Sequence, residues 1–539
     1  MTDLQSKLFA MLEEIDAICK KHDITYYLAA GGSLGAVRNG GFLPWDDDLD
    51  LYITSDNWEK FKAVIMDELP ENRAFVCEEM TEDYLNPIGR YVDKESTMMM
   101  RSQMMIGECC GEFVEFFIFD LLPADPDAAW EQRKNMKLYT ELLSPYFILN
   151  KQLLEGNSDF DYPLFLEYYE RCKKEGFDKV TDELKAKITN CSWEDAGYYC
   201  MRWGTITYIF PKESFGEPRY IEFEGKPFPV VNQVERVLRL SYGDDWMCVP
   251  TVSNQVVHGL NQDIYTPYEK FTSIYLPLLD KPALRKAHRD IKDLRIQIVQ
   301  ERTDYQREFA LAKMELVERR IKDFHYDIPK MQEYLRENKI AELYEELKYF
   351  IQFQGEKDIK DHSLLADVCD EYLELVIGYH LAMGNYNAGS KILKLRKKKD
   401  APLSEGLVEY ENRLFAAHEI SVAIYDDRDY DQVKEALKKH ADYSDKLVDY
   451  NYGKLWCMKH DAVSKRDFIN LAEEVNRMAG IMTLTGELKS MKAYALYRLG
   501  ELDESKALYI EACNQTRNAF IWKEANECFS EIDMYADMK

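Results

Sequence analysis

No stretch of about eighteen consecutive apolar residues occurs in this chain, so no membrane-spanning helix is expected. The N-terminal segment MTDLQSKLFAMLEEIDAICKK carries charges throughout and lacks the apolar centre of a secretory signal. A basic excess is missing as well. Against 69 Lys and Arg stand 97 Asp and Glu, a formal charge of −28, which argues against nucleic acid as a partner. The twelve cysteines include no C-x-x-C pair, and only Cys109 and Cys110 are adjacent. Free thiols in a reducing cytoplasm are expected, in preference to disulfides or a zinc site. At 539 residues the chain has room for two or three domains with large cores.

What is present concentrates in residues 31–53, GGSLGAVRNGGFLPWDDDLDLYI. The run Tyr26 to Ala30 before it reads as a buried strand, and Gly31-Gly32-Ser33 as a turn leading into a brief helical stretch. Residues Asp46 to Ile53 read as an acidic strand. Side chains alternate along a strand, so Asp46, Asp48 and Asp50 would share one face, roughly 7 Å apart, with Leu49, Leu51 and Ile53 on the other. Like charges at ~4 Å repel by about 4 kcal/mol at an effective dielectric near 20. Such a row is therefore expected to hold a hard divalent cation, Mg2+ or Mn2+. Glycine N–H groups and the Ser33 hydroxyl at a helix start suit phosphate oxygens. A second landmark is GEFVEFFIFDLLP at 111–123. There Glu115 stands among Val and Phe on an apparent buried strand, where an unpaired carboxylate is costly. A salt bridge would satisfy it; beside the aspartate row, a third metal-facing carboxylate is the stronger expectation.

The segments Gly32-Ser33-Leu34-Gly35-Ala36-Val37-Arg38 and Gly41-Phe42-Leu43-Pro44-Trp45-Asp46-Asp47-Asp48-Leu49-Asp50 resemble the LicD family of the nucleotidyltransferase-fold superfamily. The strings Phe223-Glu224-Gly225 and Tyr242-Gly243-Asp244-Asp245-Trp246-Met247, with His258 in a following loop, extend the resemblance over roughly residues 1–265. Relatives in that family usually carry Asp where this chain has Glu115, which keeps the charge on a longer arm. Asp120 and Pro123 match the same motif and are expected to shape the loop.

The resemblance implies an α+β nucleotidyltransferase-like mixed sheet with flanking helices over 1–280. The metal ligands would be Asp46, Asp48, Asp50 and Glu115, with Asp48, Asp50 and Glu115 as the catalytic group. Gly32, Ser33, Arg38, Arg90, Lys94 and His258 would contact substrate. The implied reaction moves a phospho-alcohol of phosphocholine type from a CDP-linked donor to a hydroxyl of a glycan or lipid-linked glycan. That places the protein in the cytoplasm, meeting its acceptor at the inner membrane surface. Two alternatives stay open: transfer of the nucleoside monophosphate itself to a protein or small molecule, and a non-catalytic interaction protein.

Elsewhere the pattern is helical. Residues 3–21 show an amphipathic period, Asn57 to Leu69 reads as a second helix, and Ala74–Cys77 and Ile88–Thr97 as strands. Residues 125–200 read as mostly helical, their aromatics as core. No Gly or Pro falls between Pro282 and Pro329, and Leu284, Ala287, Ile291, Leu294 and Ile298 keep a heptad spacing, so 281–328 is expected to be a long linker helix. Residues 329–539 read as an all-α helical-repeat domain. Met383-Gly384-x-Tyr386, Arg428-x-Tyr430 and Leu499-Gly500-x-Leu502 look like inter-helix turns of tetratricopeptide type, at irregular spacing. Such a domain could bind a protein partner or a second copy. The run Lys394, Arg396, Lys397, Lys398 and Lys399 reads as a solvated basic patch.

Overall fold

A computed structural model of the chain describes every residue except 85, 100–105, 144–161, 205–207, 251–254, 256–261, 288, 291–292, 295, 298–300, 302–304, 306–307, 309–311, 313–326, 355–367, 399–400 and 533–539. The chain divides into two compact units, Met1–Gly243 with Ser253–Gln306, and Asp244–Val252 with Arg307–Lys539.

The first unit is built on a mixed sheet. Its elements are α1 (Asp3–Lys21), β1 (Tyr27–Leu28), α2 (Ala30–Asn39), β2 (Asp50–Thr54), α3 (Ser55–Glu68), β3 (Arg73–Val76), β4 (Ile88–Asp93), β5 (Thr97–Met98) and β6 (Phe113–Pro123). There follow α4 (Pro126–Leu143), helices Tyr162–Glu175 and Phe177–Ile188, then β7 (Ala196–Met201), β8 (Ile209–Pro211), β9 (Arg219–Phe223) and β10 (Lys226–Val230). The main sheet runs β1-β2-β6-β4-β3, with β7 on β6 and β8 on β7. Among the described residues of this sheet, only β2 and β6 pair in parallel; the other pairs are antiparallel. Strand β6 is long enough to pair with three neighbours and is buried on both faces, which is why it reads as a nearly unbroken apolar run.

Period-2 alternation sorts the aromatic side chains of β6. Phe116 packs with Trp58, Phe61 and Phe75, whereas Phe119 packs with Tyr52, Phe210 and Phe215. Helix α1 has a capping box, in which Thr2 and Gln5 exchange bonds with each other's backbone N–H. It buries Leu8, Met11, Leu12, Ile15 and Ile18, as the period requires. Within region 125–200 the described residues form α4 and the helices Tyr162–Glu175 and Phe177–Ile188, followed by β7.

The second unit is helical. Gly384 (φ 70°), Arg428 (φ 50°) and Gly500 (φ 90°) adopt left-handed backbone at the three expected inter-helix turns. The basic run is not uniformly solvated: Arg396 is buried and grips both oxygens of Asp370 at 2.8 and 3.2 Å. Segment Asp244–Val252 packs into this unit. Ala519 N–H donates to the Met247 carbonyl at 2.8 Å, Val249 N–H to that of Arg517 at 2.8 Å, and the buried Trp246 meets Phe520 edge-on.

The described residues among 281–297 are helical; Ile291 and Ile298 lie outside the described set, and Leu294 is exposed. All twelve cysteines are free. Among the described residues, no helix is long and apolar enough to cross a membrane.

Candidate active site

The acidic segment folds differently from an eight-residue strand. Strand β2 begins only at Asp50; Asp46 to Leu49 form an irregular lead-in after a turn at Pro44-Trp45. Alternation therefore cannot place Asp46 and Asp48. Leu49, Leu51 and Ile53 are nonetheless fully buried. The Gly31-Gly32-Ser33 run is likewise helical, not a turn: it lies in the opening turn of α2, whose N-cap, Ala29, offers no side-chain cap. A first turn leaves N–H groups without intrahelical partners and carries the positive end of the helix dipole. A Cβ on Gly31 would fall 2.4 Å from Asp46 Oδ2, so glycine is what lets the Asp46 carboxylate lie against this helix start. The buried Ser33 hydroxyl donates to the Ala30 carbonyl at 3.1 Å, a bond within the helix.

The loop between α2 and β2 is fixed from two sides. Gln5, buried on α1, donates from Nε2 to the carbonyls of Leu43 and Asp46, both at 3.1 Å. Glu224 accepts from Phe42 N–H at 2.9 Å and donates its own N–H to the Gly40 carbonyl at 2.8 Å. Glu224 (φ 52°) and Gly225 (φ 78°) are the two turn residues joining β9 and β10, a left-handed pair typical of two-residue hairpins. This gives Phe223-Glu224-Gly225 its physical purpose, a tight turn whose carboxylate fastens the acidic loop. Gln5 gave no sequence signal beyond being a polar residue on an apolar helix face.

The centre of the site is a row across three strands. Asp50 on β2 is register partner of Glu115 on β6, and Glu115 of Arg90 on β4. Register partners point to the same face, with strands roughly 4.8 Å apart. Arg90 is buried and donates from Nε (2.8 Å) and Nη2 (2.5 Å), both to Oε1 of Glu115. It also lies 3.9 Å over the Phe113 ring. Arg90 thus stands on an interior strand, bound to Glu115, and not on a sheet edge. Burial, aided by Asp48, Glu115 and Asp46, pushes the Asp50 carboxyl well above its ordinary range, and Arg90 opposes the shift. Asp50 Oδ1 is buried with no hydrogen-bond partner. The phenols of Tyr208 and Tyr242 are raised first by burial and then by neighbours that include Asp50, which places two tyrosines within the field of the acids. Tyr242 opens one of the strings that carry the family resemblance, whereas Tyr208 gave no sequence signal.

The remaining expected residues distribute as follows. Arg38 is buried in the last turn of α2. Lys94 is exposed in the turn after β4 and donates to the Glu71 carbonyl at 3.0 Å, four residues past Arg90. His258 lies outside the described residues. Asp120 is a structural residue, held by Arg202 through both oxygens at 2.8 and 2.9 Å.

Residues 23–97, which hold α2, the acidic loop, β2 and Arg90, match the family model described as LicD/FKTN/FKRP, nucleotidyltransferase domain. This segment is a LicD-family domain. The lipopolysaccharide cholinephosphotransferase LicD of Haemophilus influenzae is 25% identical over 256 residues, 47% of this chain and 93% of that protein. An uncharacterized protein of Rickettsia typhi is 33% identical over 58 residues, 11% of this chain and 19% of its own length. A Rickettsia prowazekii protein is 36% identical over 50 residues, 9% and 19%. The LicD match spans just under half of this chain and nearly the whole of that relative.

Among the described residues, no three His, Cys, Asp or Glu side chains are gathered as a complete metal-ligand set. Magnesium, however, is usually held by one or two carboxylates, with water and substrate phosphate supplying the rest. An all-oxygen donor set that includes the unpartnered Asp50 Oδ1 fits that mode of binding.

Proposed function

We propose that the LicD domain is a metal-dependent phosphotransferase that moves a phospho-alcohol of phosphocholine type from a CDP-linked donor to a glycan hydroxyl. The observation that carries this reading is the Asp50–Glu115–Arg90 row, set in the same domain as an uncapped helix start. The name of the Haemophilus relative supports the substrate class. Asp48 and Asp50 would hold Mg2+, with Asp46 at the edge of the set; bound there, the ion would offset the charge of the donor pyrophosphate. The first-turn N–H groups at Gly31 and Gly32 suit a phosphate oxygen. Arg90 fixes Glu115 through Oε1 alone, which leaves Oε2 to accept the proton of the attacking hydroxyl. A bond forms between that oxygen and the alcohol-bearing phosphorus, the bond to CMP breaks, and the proton passes through Glu115 to solvent.

Incubation with CDP-choline, Mg2+ and a glycan acceptor tests the proposal. CMP release should be lost in Asp48→Asn, and full turnover in that variant defeats the assignment. Finding the nucleoside monophosphate attached to the acceptor would instead favour nucleotidyl transfer.

A further inference from the structure

The helical unit contains a cavity of about 90 Å³. Since some 10–15 Å³ by this measure admits one water, there is room for a ligand of several heavy atoms. Four acids line it, Asp244, Asp245, Asp449 and Glu487, and no Lys, Arg or His does. Three of the acids are already engaged: His418 faces Asp244 at 3.3 Å, and Asn387 donates to Asp245 at 3.4 Å. Glu487 accepts from the Thr516 hydroxyl through Oε1. Asp449 Oδ2, by contrast, is buried with no hydrogen-bond partner. Burial, with Glu487 nearby, pushes that carboxyl up to about 8.

Acids at helix starts are ordinarily dipole partners, and helices begin at Tyr386, Val448, Gly486 and Ala519 around this cavity. Each start supplies roughly half a positive charge, about +2 in all, against the carboxylates of Asp244, Asp245 and Glu487 and the Asp449 carboxyl, which is largely protonated at neutral pH. The cavity is left negative even with every dipole counted. The aromatic walls refine the preference. Tyr425 is stacked on one side by Tyr452 and on another by Phe520, so its faces are covered. Its hydroxyl, which accepts from Asn518 at 2.7 Å, is a polar oxygen at the wall. Met247, Ile424 and Val448 supply apolar surface. Oxygen acceptors beside apolar walls suit an N–H donor carrying a short carbon chain. A quaternary ammonium has no N–H to give these oxygen acceptors, and a bare metal ion would need a gathered ligand set, which the described residues do not form here.

We propose that this cavity binds a small primary alkylammonium ion, its N–H groups on Asp449 and Glu487 and its carbons against Met247, Ile424 and Val448. The site is separate from the LicD domain and does not depend on the reaction assigned there.

Calorimetric titration of the full-length protein with n-propylammonium at constant ionic strength tests it, with n-propanol and tetramethylammonium as comparators. One binding site is expected, with both comparators at least tenfold weaker. The double variant Asp449→Asn with Glu487→Gln should weaken n-propylammonium at least tenfold. Asn387→Lys, which places a competing ammonium on the cavity wall, should block it, and Asp48→Asn should change nothing. The proposal is overturned by absence of n-propylammonium binding, by equal binding of either comparator, by unchanged affinity in the cavity variants, or by loss of binding in Asp48→Asn.

Discussion

Strand β6 carries an acid paired with an arginine at each end, and the two pairs are built differently. At one end Asp120 gives both oxygens to Arg202, and both side chains are almost wholly buried (1% and 3% exposed). At the other, Arg90 places two of its donors on a single oxygen of Glu115, whose side chain stays 14% exposed. The first pair is complete; its role is to tie β6 to the chain leaving β7. The second has a free oxygen, faces Asp50 across the strand pair and keeps access to solvent. A free carboxylate oxygen beside the unpartnered Asp50 Oδ1 marks the end where a ligand belongs.

That contrast can be broken most directly at Asp50. Asp50→Asn should cut CMP release by about a thousandfold, some 4 kcal/mol of barrier, while raising the melting temperature at pH 7.5, because a buried carboxylate no longer has to ionise among other acids. Retained turnover, or a lower melting temperature, would mean that Asp50 is structural like Asp120. At the opposite end, Asp120→Asn leaves the buried Arg202 guanidinium without its carboxylate and should cost about 3–5 kcal/mol in urea unfolding. The turnover of the folded fraction should be retained.

Glu112, next to β6, sharpens the comparison through pH. Burial, with Asp47 and Asp93 nearby, pushes its carboxyl up to about 7 against the pull of Gln262. The folded value lies above the unfolded one, near 4.3. Its stabilising contribution is therefore complete below pH ~4 and is lost as pH rises to about 7. Glu112→Gln should flatten stability between pH 4.5 and 8 by about 3 kcal/mol, read from denaturant midpoints across that range; an unchanged slope would assign the pH dependence to other groups. The smallest effect is ion binding. Mg2+ at tenfold its dissociation constant should stabilise the wild type by about 1.4 kcal/mol in thermal melts and leave Asp50→Asn unmoved. An equal shift in both proteins would place the ion elsewhere.

Local signals in the sequence were reliable where one period or one turn decided the outcome. The apolar spacing of α1, the buried run of β6 and the left-handed turns at Gly384, Arg428 and Gly500 all appear where pattern put them. The D-x-D-h-D reading was right about Leu49, Leu51 and Ile53 and wrong about where the strand begins. Hydrogen bonds from Gln5 and Glu224, both distant in sequence, hold the loop before β2 out of the sheet. Gly31-Gly32-Ser33 reads as a turn from composition, yet glycine there serves close approach to Asp46 and the segment is helical. Arg396 looked like one of five solvated cations because its partner, Asp370, lies 26 residues earlier in the chain. The tetratricopeptide-like spacing gave helix pairs, and the structure establishes no more than that.

By itself the sequence determined that acids, a glycine-rich segment leading into a helix and a buried glutamate lie within the first 120 residues, and that helices fill the C-terminal part. Only the tertiary structure decided which of them meet. Parallel pairing of β2 with β6 puts Asp50 beside Glu115, and antiparallel pairing with β4 gives Glu115 its arginine. Register across strands is set by core packing on both faces of the sheet, and that packing is a property of the assembled fold, not of any one segment.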